Sequence, residues 1–312
     1  MKKYLLYLIS LVIFLQSCDS TYNYAPLNTE AFETIDAFFE EIILVPDTFN
    51  IDQSQENTLL TEGNAEVLLP PCILALPDGT PLCDLTGDGP CPVKIELVEM
   101  YKNKDFVLNE MTTITENGEI LATGGIFKMR ATFADSILLT VAEGKSFKVK
   151  VPKGNTPTDS ASMNLYSVDT TTLAGATWTL QSTSVEDTVG FHAIEYDKFN
   201  DWFACGYEIE AAATTTRVSI VSSEERFDAD ISRVYLAFDD FHSLVGTTYN
   251  KGSFVAENIP TDEPVTAIAI HTDGTQLLFA TGTGNTGTDE EILIRLEPTS
   301  VQVLHEKLSE IK

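Results

Sequence analysis

From residue 48 to residue 296 the chain never sustains a helical apolar repeat; short apolar runs recur instead, each closed off by Gly, Pro, Asn or Asp. A run that short can bury alternate side chains against a sheet but cannot lay a helix along a core, so the punctuation commits the chain to strands. Val93, Ile95 and Leu97 alternate with Lys94, Glu96 and Val98, and residues 137–141, 147–151, 218–221, 234–238, 265–270 and 292–296 are similar runs. With no long helices between them to make parallel crossovers, the expected architecture is antiparallel β-sandwiches. Asn117-Gly118, between 112–115 and 119–121, is the best hairpin signal, since a type I′ turn needs positive φ at both central residues. Helical spacing occurs only at the two ends. Phe32, Ile35, Phe38, Phe39, Ile42 and Ile43 recur three to four apart until Pro46, which predicts one short amphipathic helix within 28–45. Val301, Leu304, Leu308 and Ile311 form one stripe behind Pro298-Thr299, which predicts a helix over 299–311. Residues 154–190 turn rich in Thr, Ser and Asp, with Met163, Leu165, Tyr166, Trp178 and Leu180 as the buried positions, and read as a domain seam or a pair of edge strands. The boundary is expected near residue 199, ahead of Asp201-Trp202-Phe203. The reading is therefore mainly β: two tandem antiparallel β-sandwich domains at 48–199 and 200–312, the second Ig-like, with a short N-terminal helix and a C-terminal helix. A length of 312 residues agrees with two domains.

The N-terminus carries an address. Lys2 and Lys3 precede a mostly apolar stretch from Tyr4 to Leu15, followed by Gln16, Ser17 and Cys18 and then the polar Asp19-Ser20-Thr21. That is a secretory signal rather than a transmembrane helix, which needs about 20 apolar residues. Leu15-Gln16-Ser17-Cys18 resembles the bacterial lipobox. The resemblance implies cleavage after residue 17 and a diacylglyceryl thioether on Cys18, with 18–47 as tether and short helix. Several acyl chains at about 0.8 kcal/mol per buried methylene would make the anchoring effectively permanent. The expected place is the cell envelope, on the outer membrane, at its periplasmic face or at the cell surface.

Charge then excludes whole classes of partner. The chain has 47 Asp and Glu against 19 Lys and Arg, a formal charge of −28 spread along its length. Loss of Lys2 and Lys3 with the leader takes it to −30. A nucleic-acid binder needs a basic face to displace counterions, and a polybasic grip on anionic lipid is excluded for the same reason. With 43% hydrophobic residues the acidity sits on a foldable chain and not on a disordered one.

Residues 57–71, the strand 92–101, Asp105, Leu108, Thr112-Thr113, Asn117-Gly118, Leu121, Thr123-Gly124-Gly125 and 145–152 resemble a domain of Bacteroidota lipoproteins. Its nearest described relatives look like the ZU-type β-sandwich of ankyrins, netrin receptors and tight-junction scaffolds. Met163, Leu165, Tyr166 and Trp178 match the continuation of that domain, and Asp201-Trp202-Phe203-Ala204-Cys205 resembles the start of the second domain of those lipoproteins. Two departures stand out: Ala122 stands where an acidic or polar residue is usual, and Gly206-Tyr207 replaces the usual Asp-Arg. The matching residues are strand cores and turns. The resemblance therefore implies a fold, and through the eukaryotic relatives it implies a protein-interaction module.

Four further cysteines remain: Cys72, Cys83, Cys91 and Cys205. In an exported chain they favour disulfides, and their spacing matches no zinc pattern. Cys83 and Cys91 flank a tight Asp/Gly insertion, and a bridge there would add roughly 2–3 kcal/mol by restricting the unfolded loop. Cys72 with Cys83 is the competing pair, and Cys205 reads as a buried strand residue. Asp84, Thr86 and Asp88 alternate ahead of Gly89 as calcium ligands would, but the twelfth position is Ile95 and no flanking helices are expected, so the segment reads as a solvated turn.

No catalytic constellation emerges. Gly282-x-Gly284-x-x-Gly287 follows a strand but leads into another strand, which predicts a hairpin loop rather than a dinucleotide site. His192, His242, His271 and His305 have no paired spacing, and no Gly-x-Ser-x-Gly occurs. Glu96 with Glu99, or Asp239 with Asp240, would be carboxylate pairs for glycoside hydrolysis only by chance in so acidic a chain. Trp178 and Trp202 read as core rather than sugar platforms. Asp135-Ser136-Ile137, Asp159-Ser160-Ala161, Asp169-Thr170-Thr171 and Asp187-Thr188-Val189 resemble the short O-glycosylation acceptor of Bacteroidota. The expectation is a lipid-anchored, non-catalytic interaction or structural module with no cofactor and no nucleic-acid partner. A surface module binding neutral glycan is the alternative, and a hydrolase the third reading.

Overall fold

The computed structural model describes residues 31–42, 44–86, 92–134, 136–153, 163–168, 177–209, 215–223, 227–238 and 240–311. The leader, Cys18, Asp88, Cys91, Asp135, Ser160, Thr170 and Asp239 lie outside these residues. The described residues are mainly β and form several sheets, with four helices. In chain order the helices are α1 (Ile35–Glu41), α2 (Leu82–Thr86), α3 (Asn103–Leu108) and α4 (Val301–Ser309).

The first sheet runs in the order β1 (Asp47–Asp52), β5 (Pro92–Met100), β7 (Ile120–Phe133), β15 (Trp202–Ile209), β11 (Asn164–Val168), β12 (Thr177–Ser184) and β6 (Ile114–Thr115). The short β8 (Ile137–Leu138) pairs with β7, and β6 also pairs back to β7. The second sheet is β13 (Glu186–Asp187), β14 (Phe191–Tyr196), β10 (Phe147–Pro152), β3 (Glu66–Leu69) and β2 (Asn57–Leu60). The third is β19 (Thr248–Asn250), β20 (Ser253–Pro260), β16 (Thr215–Ser222) and β23 (Glu291–Ile294). The fourth is β18 (Ser243–Gly246), β17 (Ser232–Phe238), β21 (Pro264–Thr272), β22 (Leu277–Asn285) and β24 (Glu297–Thr299). A small ribbon joins β4 (Leu74–Ala75) to β9 (Thr140–Val141). Most pairings are antiparallel, as the short runs predict; β12 with β6 and β16 with β23 are parallel.

Three apolar clusters organise these sheets. The first joins sheets one and two: Val93, Ile95 and Leu97 meet Phe147, Val149 and Val151, each from a strand whose other face carries Lys or Glu. The third joins sheets three and four, where Val218 and Ile220 meet Val234, Leu236 and Phe238. The second lies on the other faces of sheets one and four. Along β15, Trp202 and Ala204 point into it while Phe203 and Cys205 point into the first cluster. Along β21, Ile268 and Ile270 point into it while Val265, Ala267 and Ala269 point into the third. Strands buried on both faces lose the apolar/polar alternation and read as continuous apolar runs. Helices fill the space between: Phe38 of α1, Phe106 of α3, and Leu304 and Leu308 of α4 all belong to this middle cluster.

Local chemistry sets the helices. Thr34 caps α1 by accepting from the Ala37 N–H at 3.2 Å, and Ser300 caps α4 by accepting from Val303 N–H at 3.3 Å. The first lies within the expected 28–45, and the second begins two residues later than the expected 299 because Ser300 caps its first turn. The Asn117-Gly118 hairpin is present, but φ is positive only at Gly118, and the Gly118 N–H bonds the Thr115 carbonyl at 2.9 Å. That is a type I turn closed by a glycine bulge in place of the expected type I′ turn.

Two expectations are corrected. Strand β15, expected to open a second unit, is the fourth strand of the first sheet, between β7 and β11. The change of sheet falls after Ile209 and before Thr215 rather than near residue 199. Cys83 bonds Cys72 and not Cys91. The chain reverses at Leu76–Thr80, where Gly79 takes φ +87°, and a bridge between Ala75 and Pro81 carries the return strand back, leaving Cys72 and Cys83 with their Cα atoms 5.6 Å apart. Cys205 is buried and free, as expected, and burial pushes its thiol pKa upward. Replacing both Cys72 and Cys83 with Ala should cost roughly 2–4 kcal/mol in non-reducing urea denaturation, and disulfide mapping of the native chain should return Cys72–Cys83. An unchanged urea midpoint would contradict the assignment.

Candidate functional site

Where the first sheet meets the fourth, the walls are stitched edge to edge. Thr113 N–H donates to the Leu244 carbonyl at 2.8 Å, Leu244 N–H donates to Thr113 Oγ1 at 2.9 Å, and Ser243 Oγ donates to the Leu121 carbonyl at 2.7 Å. Beside this seam opens a cleft of about 520 Å³. Glu110, Thr112, Ile114 and Thr177 form one wall; Arg233, Tyr235, Thr248, Tyr249 and Phe254 form the other. Gly246 lies where the walls touch, and a Cβ there would meet Thr112 Cγ2 at 3.1 Å.

The position of Glu110 is unusual. Helix α3 ends in a paired C-cap: Met111 N–H bonds the Phe106 carbonyl at 2.8 Å and Glu110 N–H bonds the Val107 carbonyl at 3.1 Å. That motif places its hinge residue in the left-handed region and normally uses Gly. Here the hinge is Glu110, at φ +50°. A side chain there costs roughly 1–2 kcal/mol, and what it gains is a carboxylate aimed at the opposite wall. Arg233 Nε donates to Glu110 Oε1 at 2.9 Å, and the Tyr235 hydroxyl donates to the same oxygen at 3.5 Å. Arg233 also donates to Asp36 of α1, to the Ala229 carbonyl at 2.9 Å and to the Ser232 carbonyl at 3.2 Å. One guanidinium thus binds the N-terminal helix, the cap of α3 and the fourth sheet. Burial and the nearby Glu110 carboxylate hold the Tyr235 phenol well above its ordinary pKa, so it stays a neutral donor.

The other polar groups in the core are enclosed. Glu99 is buried and accepts from Thr61 Oγ1 at 2.7 Å, from Tyr101 OH at 2.9 Å and from the Gly63 N–H, tying the β2–β3 turn to β5; burial raises its pKa. Glu96 stands three positions away on the opposite face, paired with Lys94 at 2.6 Å, so the two form no catalytic pair. Ser232 Oγ lies 2.8 Å from His271 Nδ1, with both residues buried. His192 is buried on β14, with Asp187 Oδ1 3.3 Å from Nδ1 but off hydrogen-bonding geometry. Burial first, then Lys153, pushes its pKa down, against the pull of Asp187. His305 is held down to about 4 by burial and by Lys104. The four histidines fall on β14, before β18, on β21 and on α4, and do not converge.

The remaining sequence signals resolve into packing. Trp178 is buried and donates Nε1–H to the Thr112 carbonyl at 2.9 Å; Trp202 is buried beneath Lys128. Gly282 and Gly284 lie within β22 rather than in a loop, where Cβ atoms would collide with Ile294 and Ile292 of β23. Asp84 and Thr86 fall in helix α2, a backbone that sets residues two apart on different faces. Among the described residues no group of three His, Cys, Asp or Glu could hold a metal ion, and no helix is long and apolar enough to cross a membrane. Thr188 Oγ1 donates to the Phe191 carbonyl at 2.8 Å, and Ser136 Oγ to the Ala134 carbonyl at 3.3 Å. A mixed-charge groove of about 770 Å³, with Arg295, Lys307, Asp240 and Glu297, runs along α4. Sequence reading missed Glu110, Arg233 and Tyr249 altogether; Glu110 and Arg233 stand 123 positions apart, with no motif around either. Compared with known proteins, the chain matches no protein-family model, no curated sequence and no solved structure.

Two outcomes follow from the enclosed groups. Gly63→Ala should lose about 1–3 kcal/mol, because the new Cβ would sit 2.7 Å from Glu99 Oε1 and against the Tyr101 ring; a neutral effect in urea denaturation would contradict the packing. His192 has a folded pKa below its unfolded value near 6.5. The unfolded chain therefore binds the extra proton, and His192 removes stability as pH falls below about 6.5. His192→Leu should flatten the decline in urea midpoint between pH 7 and 5, and an unchanged slope would contradict it.

Proposed function

We propose that the protein is a lipid-anchored, non-catalytic binding or structural module of the bacterial cell envelope, akin to the Bacteroidota lipoproteins whose ZU-type strand and turn residues it resembles. In this reading sheets one and two form one sandwich, sheets three and four a second, and Cys18 carries the lipid.

The observation that carries it is where the N-terminal segment joins the folded body. Phe32 gives its carbonyl to Thr272 Oγ1 at 2.6 Å, Ile35 N–H bonds the Asp230 carbonyl at 3.4 Å, and Asp36 binds Arg233. These contacts fasten the segment to the fourth sheet at the rim of the cleft, on the middle cluster. Cys18 and Ala31 stand 13 positions apart in the chain, a span that reaches at most about 45 Å. A lipid on Cys18 would hold the body by its waist and leave both outer sheets clear. The strong negative charge fits this role, since it keeps the surface soluble and repels it from anionic headgroups.

Fractionation tests the anchor. The wild-type chain should sediment with membranes and enter detergent, whereas Cys18→Ala should be soluble and should lose any partner that crosslinks to the anchored form. Equal partition of the two would contradict the reading.

A further inference from the structure

The geometry points to the cleft between Glu110 and Tyr249 as a binding site for a neutral, hydroxyl-rich ligand, a saccharide chain. This inference rests on the binding role proposed above and names what is bound. The argument is one of elimination among the groups that line the cleft.

Glu110 is held to Arg233, so it offers no uncompensated charge to a cation. Arg233 commits four of its five N–H donors to Glu110, Asp36 and two carbonyls, so its charge is already paired and at most one donor is left for an anion. The overall charge of −28 repels anions further. The cleft is open rather than enclosed, and its mainly apolar lining is interrupted by exposed threonines on both walls, Thr177 on one and Thr248 on the other, so a ligand there meets apolar surface and hydroxyls together and keeps one side in water. What remains accessible is the half-buried ring of Tyr249, braced edge-on by Phe254 at 5.4 Å, together with hydroxyl groups on either side. An apolar ring face flanked by hydroxyls matches the alternating CH faces and OH edges of a sugar. The cleft volume of about 520 Å³ lies within the roughly 300–1,000 Å³ of small-molecule sites. The left-handed Glu110 fits the same purpose: a strained residue that persists at a cleft fixes that wall in place.

Affinity electrophoresis of the mature chain tests this, in native gels containing dextran, yeast mannan or xylan, with heparin as the anionic control. Retardation is expected in at least one neutral gel and not in heparin. Tyr249→Ala should weaken it about tenfold, and Thr177→Trp, which fills the mouth from the exposed wall, should abolish it while leaving the melting temperature unchanged. No retardation in any neutral gel, retardation in heparin alone, or Thr177→Trp migrating like wild type would overturn the inference. Retardation that survives Cys18→Ala fractionating with membranes would leave the cleft standing and sink the anchor; release of reducing ends would sink the non-catalytic reading instead.

Discussion

Everything in this molecule leans on the middle apolar cluster, the one core that no single half of the chain can make. The central strands of sheets one and four are buried on both faces, and among the described residues their second faces are covered by each other and by three helices. Tyr166, Trp178 and Trp202 come from the first sheet, Tyr235, Ile268 and Phe279 from the fourth, and Phe38, Phe106 and Leu304 from the helices. Exposing that surface would open large aromatic side chains to water from both sides at once. The N-terminal helix and the C-terminal helix therefore serve as plugs in a shared core. Their sequence distance brings no entropic advantage; their apolar stripes do.

Polar groups are placed around that cluster as fasteners. Glu99 locks the second sheet to the first, and Arg233 locks α1, α3 and the fourth sheet together. Glu99 is buried and hydrogen-bonded on all sides, so loss of one of its partners would leave a buried polar group uncompensated. The surface ion pairs, such as Lys148 with Glu186, are exposed and add little. The acidity of the chain is thus a property of its solvent faces, while the few ionic contacts that matter structurally lie at joints.

Legibility followed burial. Strands with one wet face announced themselves by alternation: Val93, Ile95 and Leu97 of β5, and Phe147, Val149 and Val151 of β10, point where the sequence says. Strands between two cores were visible as apolar runs, but such a run does not say which sheet it joins. That is why Trp202-Phe203-Ala204-Cys205, arriving after a Thr- and Ser-rich stretch, read as the start of a new unit when it completes the first sheet. The disulfide was open between two partners because spacing alone fits both; the Leu76–Thr80 reversal decides for Cys72. The cleft was invisible, since an αL glutamate and an arginine far along the chain meet only after both sheets have formed.

The central claim, that one shared core makes both halves a single cooperative body, is tested most directly by differential scanning calorimetry of the purified protein. The account predicts one transition whose calorimetric and van't Hoff enthalpies agree, moved as a whole to lower temperature by Phe38→Ala. Two resolved transitions, of which Phe38→Ala shifts only one, would contradict it.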